Sequence, residues 1–428
     1  MGGGLYLLFV TQFLPLIGLK RAILLIAGKY HHRGEERAEG QISHFQALSA
    51  ALAATIGLGN IGGVAIAITQ GGPGAIFWMW VSALIGMNTK FVECSLSVMF
   101  RGKDYRGEVQ GGPMYVIQNA LPKRYHFLAY FFAGCGVIGC LSLFQINQLS
   151  SYLSEQYKFE PVAVGLVCAI IIAYALFGGI RRLVKITSSL VPLMCIFYVV
   201  ICTVIISLHA EKISSIFVHI FSEAFSGRAL GGGILGVAFI EVMKTGVKRA
   251  AFSNEAGVGT APMAHSNVKT SEPISEGLVA MAGPFLDTII VCTMTALVIL
   301  TSLPAEALDK SSGVLMTLKA FDSALPGFGG HFLGVAIVLF SFTTMVGYAN
   351  YSNKCWDFLW RGRFYMKEKS FILFYCSSIV VGAVWASDDV INLLDISFAF
   401  MAVPNIISIV ILSPKVKVAL NEYFKAYQ

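Results

Sequence analysis

Stretches without any charge recur along this chain. No Asp, Glu, Lys or Arg occurs from Gly40 to Thr89, nor in Tyr125–Ser154, Pro161–Ile180, Ile186–Ala210, Ser323–Asn353, Ser370–Ser387 or Ile396–Pro414. A bilayer core of about 30 Å is crossed by a helix of about 20 apolar residues, so these blocks read as transmembrane spans. With the charged loops as boundaries, the pattern predicts eleven spans, at roughly 5–19, 44–70, 74–99, 127–152, 161–179, 186–208, 214–243, 275–302, 331–353, 371–387 and 391–413. The expected fold class is an all-α polytopic membrane protein. The loop 304–330 holds an amphipathic stretch around Val314–Phe321, readable as a lid on the outer face or as ordinary surface loop.

Basic residues divide unevenly between the two sets of loops. Twenty-five Lys and Arg fall in 20–37, 101–124, 181–185, 244–269, 354–369 and the C-terminal tail, against five in the alternate loops. By the positive-inside rule this puts the C-terminus in the cytoplasm and the N-terminus outside, in the cell (inner) membrane. Composition agrees: 56% of the 428 residues are hydrophobic and 13% are charged, against roughly 25% charged in soluble domains. The net charge of +7 sits mostly in short loops between spans, so the partner it implies is the lipid bilayer and not a nucleic acid. Nine cysteines lie singly, with no C-x-x-C pair, and read as packing residues. Lys20-Arg21 follow the first apolar stretch where a cleavage site would stand, and no basic leader precedes it, so no cleavable signal peptide is expected.

Three segments spell G-x-G-x-x-G: Gly57–Gly62 (GLGNIG), Gly134–Gly139 (GCGVIG) and Gly231–Gly236 (GGGILG). A dinucleotide loop needs a preceding strand and an acidic residue about 20 positions on. After Gly62 the first acidic residue is Glu93, and the flanks are membrane-length apolar runs, so the nucleotide reading fails. A glycine in a helix interior costs about 1 kcal/mol relative to Ala and bares the backbone. Gly59 and Gly63 have the spacing of a small-residue packing face. Gly57, Gly59, Gly62 and Gly63 point several ways around a helix, however, which favours a discontinuous helix whose free N–H and C=O groups line a cavity.

The second cluster, Gly231, Gly232, Gly233 and Gly236, interrupts the seventh span. With the first span set aside as accessory, each cluster falls in the first helix of a five-helix set. Paired breaks of this kind point to a secondary transporter built from inverted repeats. The expected divisions are an accessory helix and loop over 1–40, a first repeat over 41–210, and a second repeat with the tail over 211–428. GCGVIG, in the fourth span, fits helix packing.

Polar side chains within spans are candidates for function. Gln145 and Asn147 lie in the fourth span and Ser341, Thr343 and Thr344 in the ninth. Hydroxyls with backbone carbonyls suit a hard cation such as Na⁺, while back-bonding to the helix itself is the other use of such hydroxyls. Lys90 and Glu93, one turn apart, can neutralise each other and read as structural or gating. Asp287, in GPFLDT, reads as functional or as a cap on a neighbouring helix. There is no H-E-x-x-H, G-x-S-x-G or nucleotide P-loop, so enzyme activity and ATP-driven pumping are not expected.

Three long blocks carry a resemblance: TIGLGNIGGVAIAITQGGPGAIFWMWVSALIGMNTKFVE, GGPMYVI and GVKRAAFSNEAGVGTAPMAH. They resemble the alanine or glycine:cation symporters, relatives of the leucine-transporter fold, over nearly the whole chain. The resemblance implies sodium-driven import of small neutral amino acids, a ten-helix inverted-repeat core with one extra N-terminal helix, Na⁺ as coupling ion and no organic cofactor. It implies that the N–H groups around Leu58 and Gly59 meet the substrate carboxylate, with Asn60 in the same substrate-binding set, that Gln145 lines the pocket, that Gly233 and Ile234 lie beside the substrate side chain, and that Tyr348 closes over it. It further implies a Na⁺ site of the Ala53, Ile56 and Phe340 carbonyls with the Thr343 and Thr344 hydroxyls. Leu58, Ile234 and Tyr348 stand where many relatives have Thr, Phe and Trp, which changes the size and polarity of the pocket. Relatives usually begin their first span further upstream, so an earlier start is expected. Proton coupling and an amino-acid sensor that does not transport are the alternative functions.

Overall fold

The first apolar run folds as two helices and not one. α1 (Gly2–Val10) and α2 (Leu14–Ile26) are separated by Gln12 and Phe13, both at φ 56°. Pro15 explains the restart: it has no N–H to donate and is tolerated only in the first turn of a helix. The computed structural model describes residues 1–29, 40–104, 107–177, 180–226, 235–308, 313–360 and 367–426.

The second expected span is α3 (His44–Thr55), a π-helical turn (Gly59–Gly63) and α4 (Val64–Gly71). α5 (Gly74–Met99) is the third, followed by a short hairpin of β1 (Gly102–Lys103) with β2 (Val109–Gln110) and by α6 (Pro113–Ala120). The fourth is α7 (His126–Gly139) and α8 (Leu143–Tyr157). α9 (Pro161–Phe177) and α10 (Ile180–Leu208) are the fifth and sixth, and α11 (Ala210–Ser226) and α12 (Leu235–Asn254) flank the second glycine cluster. Gly231, Gly232, Gly233 and Ile234 lie outside the described residues.

A short α13 (Ala261–His265) precedes α14 (Pro273–Pro284), which continues through a π-helical stretch, Phe285–Cys292, into α15 (Thr293–Ser302). The amphipathic stretch of the long loop forms α16 (Val314–Ala324). α17 (Gly329–Trp360), α18 (Lys367–Val384) and α19 (Ser387–Ala426) complete the chain. Among the described residues six helices are long and apolar enough to cross a membrane, and the bent pair around Ile56–Leu58 makes a seventh. α9 and residues 369–384 are shorter apolar helices. α19 runs past the expected end at 413 because Val416, Leu420 and Tyr423 continue a buried stripe; the Arg21 guanidinium lies over the Tyr423 ring at 4.7 Å.

The packing is inverted relative to a soluble protein. Large apolar side chains line outer faces, such as Leu166, Ile170 and Tyr174 on α9 and Leu193, Phe197, Val200 and Val204 on α10. Polar groups concentrate inside, with Asn60, Asn88, Glu255, Glu276, Asp287 and Ser341 fully buried. Lipid accepts the first and penalises the second unless each polar group finds a partner, which makes the interior contacts informative. GCGVIG does pack: a Cβ on Gly136 would come within 2.6 Å of Cys355 Sγ, and one on Gly139 within 2.7 Å of Met401 Sδ.

Candidate substrate and cation site

Ser43 and Gln46 form a reciprocal capping box that starts α3. The helix ends when Ile56 turns extended (φ −76°, ψ 102°), and the chain re-enters helix at an angle of 55°. The Gly57 N–H donates to Asn60 Oδ1 at 2.8 Å. That leaves the Ala53 carbonyl without its usual donor four residues on. Leu58 heads the new helical segment, where first-turn N–H groups have no intrahelical acceptor and the dipole favours an anion. Ala53, Ile56, Leu58, Gly59 and Asn60 are all buried.

The glycines face three different neighbours. A Cβ on Gly57 would lie 2.3 Å from Thr344 Oγ1, one on Gly62 would meet the Val314 backbone N and Gln148 Oε1, and Gly59 and Gly63 face Phe252 at ordinary contact. Gly57 is therefore a point of close approach between the break and α17.

The hydroxyls of α17 separate into two groups. Ser341 donates to the Ile337 carbonyl at 2.6 Å, and Thr343 to the Leu339 and Phe340 carbonyls, both at 3.1 Å. These two back-bond within the helix. Thr344 Oγ1 is buried with no hydrogen-bond partner, and it faces Gly57. Phe340, whose carbonyl belongs to the expected cation site, thus already receives the Thr343 hydroxyl.

Asn60 is fully engaged with protein groups. Its Nδ2 donates to Asp287 Oδ1 at 2.7 Å, to the Asp287 carbonyl at 3.2 Å and to Ser253 Oγ at 3.0 Å. Asp287 Oδ2 accepts from Ser253 at 2.7 Å and from Thr288 at 2.8 Å. Gln145, at the start of α8, is buried and its Oε1 has no partner. Its neighbour Asn147 instead ties α8 to the Gly382 and Trp385 carbonyls. Tyr348 is buried one turn beyond Thr344 and donates to Glu255 Oε1 at 2.5 Å. Glu255, at φ 55° just past α12, also accepts from the Thr260 hydroxyl. Burial holds its carboxyl above the usual range, opposed by Lys90 and by its hydroxyl donors. Glu93 takes its hydrogen bond from Asn405 in α19 at 2.7 Å, and no ion pair joins it to Lys90 among the described residues.

Both ends of the bent span are fastened. At one end α16 lies over the break: Gln148 Oε1 accepts from the Val314 N–H at 2.9 Å, and Thr317 donates to the Ile61 carbonyl at 3.1 Å. The lid reading of this stretch fits that packing. At the other end His44, the first residue of α3, bonds Glu276 Oε2, while His265 bonds Glu276 Oε1 at 2.5 Å. Lys269 donates to the Ile42 carbonyl and Arg101 to the Val268 carbonyl there. Thr317→Val removes a bond that contributes about 1 kcal/mol between α16 and the bent span, so a lower melting temperature is expected; thermal unfolding of the purified protein checks it.

The profile of the sodium:alanine symporter family matches residues 1–428. The chain belongs to that family. It is 38% identical over 423 residues to the sodium/alanine symporter AgcS of Methanococcus maripaludis, covering 96% of this chain and 90% of that one. It is 33% identical over 427 residues to the probable sodium/glutamine symporter GlnT of Bacillus subtilis, covering 98% and 86%. In fold it is similar to MhsT, solved in complex with L-phenylalanine, with a TM-score of 0.59 at 14% identity over 90% of this chain and 99% of that one. The chain is thus a multi-pass membrane transporter and not an enzyme, with a fold like that of MhsT.

Ser253, Gln148 and Thr317, which pack at the break, and Glu255, which bonds Tyr348, are not named individually by the sequence reading. Their polarity inside otherwise apolar runs was the available signal, but which broken helix each one faces follows only from the packing.

Proposed function

We propose that this family member imports small neutral amino acids, alanine or glycine in the first place, together with Na⁺. The observation that carries the reading is the Thr344 hydroxyl, buried without a partner and facing the break at Gly57. A buried polar atom without a partner is costly, and a Na⁺ ion there would relieve it. The freed Ala53 carbonyl, the Ile56 and Phe340 carbonyls and the Thr343 hydroxyl oxygen would complete a set of neutral oxygens. Such a set binds Na⁺ without holding it permanently.

The substrate carboxylate would sit at the N–H groups of Leu58 and Gly59, with Asn60 shaping the turn and not touching the ligand. Gln145 Oε1, an acceptor without a donor, suits the α-ammonium group. Gly233 and Ile234 would flank the side chain. Tyr348 would close the pocket, its position fixed by Glu255. Tyr348, smaller than the Trp that many relatives carry there, would leave room for side chains beyond methyl. We assign 1–40 as accessory, 41–210 and 211–428 as the two repeats, the α16 face as external and the C-terminus as cytoplasmic, in the cell membrane.

Alternating access would then loosen the α16 end and the His44–Glu276–His265 end in turn. One Na⁺ entering down a 100 mV potential adds about 2.3 kcal/mol to uptake. Coupling requires that Na⁺ and amino acid each raise the other's affinity by the same factor. Titration of purified protein with alanine, with and without Na⁺, tests this; affinities unaffected by the partner ligand would remove coupling. Gln145→Leu is expected to weaken amino-acid binding about tenfold while leaving the Na⁺ midpoint in place, read from the same titrations. Asp287, bonded directly to Asn60 at the break, favours proton coupling as the second reading.

A further inference from the structure

Asp287 is a fully buried carboxylate within the membrane part of the fold, and neither the proposed cation site nor the proposed substrate contacts use it. Intramembrane carboxylates are costly and persist where they have a task. Its three side-chain partners are all donors: the Asn60 amide, the Ser253 hydroxyl and the Thr288 hydroxyl. A carboxylate enclosed by donors in this way is poorly disposed to coordinate an ion itself.

Its effect passes through Asn60. An amide side chain has one accepting and one donating end. Asp287 accepts from Nδ2, which obliges Oδ1 to face the other way, where it takes the Gly57 N–H at 2.8 Å. While that bond holds, the Gly57 N–H cannot return to the Ala53 carbonyl, α3 cannot add another turn, and Gly57 stays against Thr344 Oγ1. Without the carboxylate, Nδ2 keeps only its longer bonds to the 287 backbone carbonyl and the Ser253 hydroxyl; the amide is then less firmly held and can turn over, which sets Nδ2 against the Gly57 N–H, donor to donor. The backbone then regains its ordinary helical bond and caps the carbonyl.

We propose that Asp287 is a positioning residue for cation coupling, holding the Ala53 carbonyl and the Thr344 hydroxyl open to the ion through Asn60 and Gly57. The proposal rests on the cation site inferred above. Its test is the Na⁺ midpoint for thermal stabilisation of the purified full chain without amino acid, followed by alanine binding at saturating Na⁺. Asp287→Asn keeps an oxygen for Asn60, and the Ser253 and Thr288 hydroxyls can rotate to accept its amide. Its Na⁺ midpoint is expected within about threefold of wild type, whereas Asp287→Leu raises it by about tenfold or more and changes alanine binding by less than about threefold. Asn60→Ala, which releases Gly57 but leaves the carboxylate bonded to Ser253 and Thr288, is expected to raise the Na⁺ midpoint likewise, read without amino acid, and carries the test if Asp287→Leu does not fold.

A wild-type midpoint in folded Asp287→Leu or in Asn60→Ala overturns the proposal. So does equal loss of Na⁺ and alanine binding, the mark of a simple strut, and so does an Asp287→Asn as impaired as Asp287→Leu, which would assign the effect to charge. If wild-type protein gives no Na⁺ response at all, the cation site itself is wrong and the proposal falls with it; a responsive wild type isolates the failure to Asp287.

Discussion

Thr344→Ala raises the Na⁺ concentration for half-maximal uptake by about tenfold to a hundredfold, with the ranking of amino acids unchanged. A hydrogen-bond-type contact to a charged group contributes about 1.5–3 kcal/mol, and loss of one oxygen from the proposed set should weaken the ion by that order. The hydroxyl has no protein partner, so its removal orphans nothing and the variant should fold as well as wild type. This separates Thr344 from Ser341 and Thr343, whose hydroxyls bond their own helix. Thr344→Ser keeps the oxygen and should retain most Na⁺ activation. Na⁺ activation curves on reconstituted protein check both variants; an unchanged curve for Thr344→Ala removes the residue from the site.

Gly57→Ala reduces uptake to below about a tenth of wild type. The added methyl would lie 2.3 Å from Thr344 Oγ1, a contact that real Cβ atoms essentially never make, so either the Thr344 hydroxyl turns away from the break or α3 and α17 separate there. Overpacking of this kind costs about 1–3 kcal/mol, and Ala also favours continuing the helix by about 1 kcal/mol over Gly. Both effects act on the conformation that would hold ion and carboxylate. The measurement is uptake normalised to monodisperse protein after purification; wild-type uptake would show that the break tolerates a side chain and that the close approach has no functional weight.

Much of the architecture was legible because lipid imposes length and composition on every span. Charge-free runs located the helices, and glycines pointing several ways around GLGNIG indicated the bend found at Ile56–Leu58. Two kinds of feature were not legible. The split of the first run at Gln12–Phe13 depends on where Pro15 lets a helix restart, and apolarity carries no record of it. The partners of interior polar groups depend on packing between distant segments: Asn60 reads as a ligand from its motif, yet its amide is held by Ser253 and Asp287, about 190 and 230 positions away. Hydroxyl spacing in SFTT could not say which of three side chains escapes back-bonding; the approach of Gly57 does. Gly233 and Ile234 lie outside the described residues, so the half of the pocket they would form rests on the family resemblance.

The most direct test is accumulation of labelled alanine, glycine and larger neutral amino acids in proteoliposomes of the purified protein. Inward Na⁺, inward proton and no-gradient conditions are compared at equal membrane potential. Accumulation above equilibrium under the Na⁺ gradient, and its absence when K⁺ replaces Na⁺, is the predicted result. Uptake indifferent to Na⁺, uptake driven by the proton gradient alone, or amino-acid binding without any uptake would contradict the account.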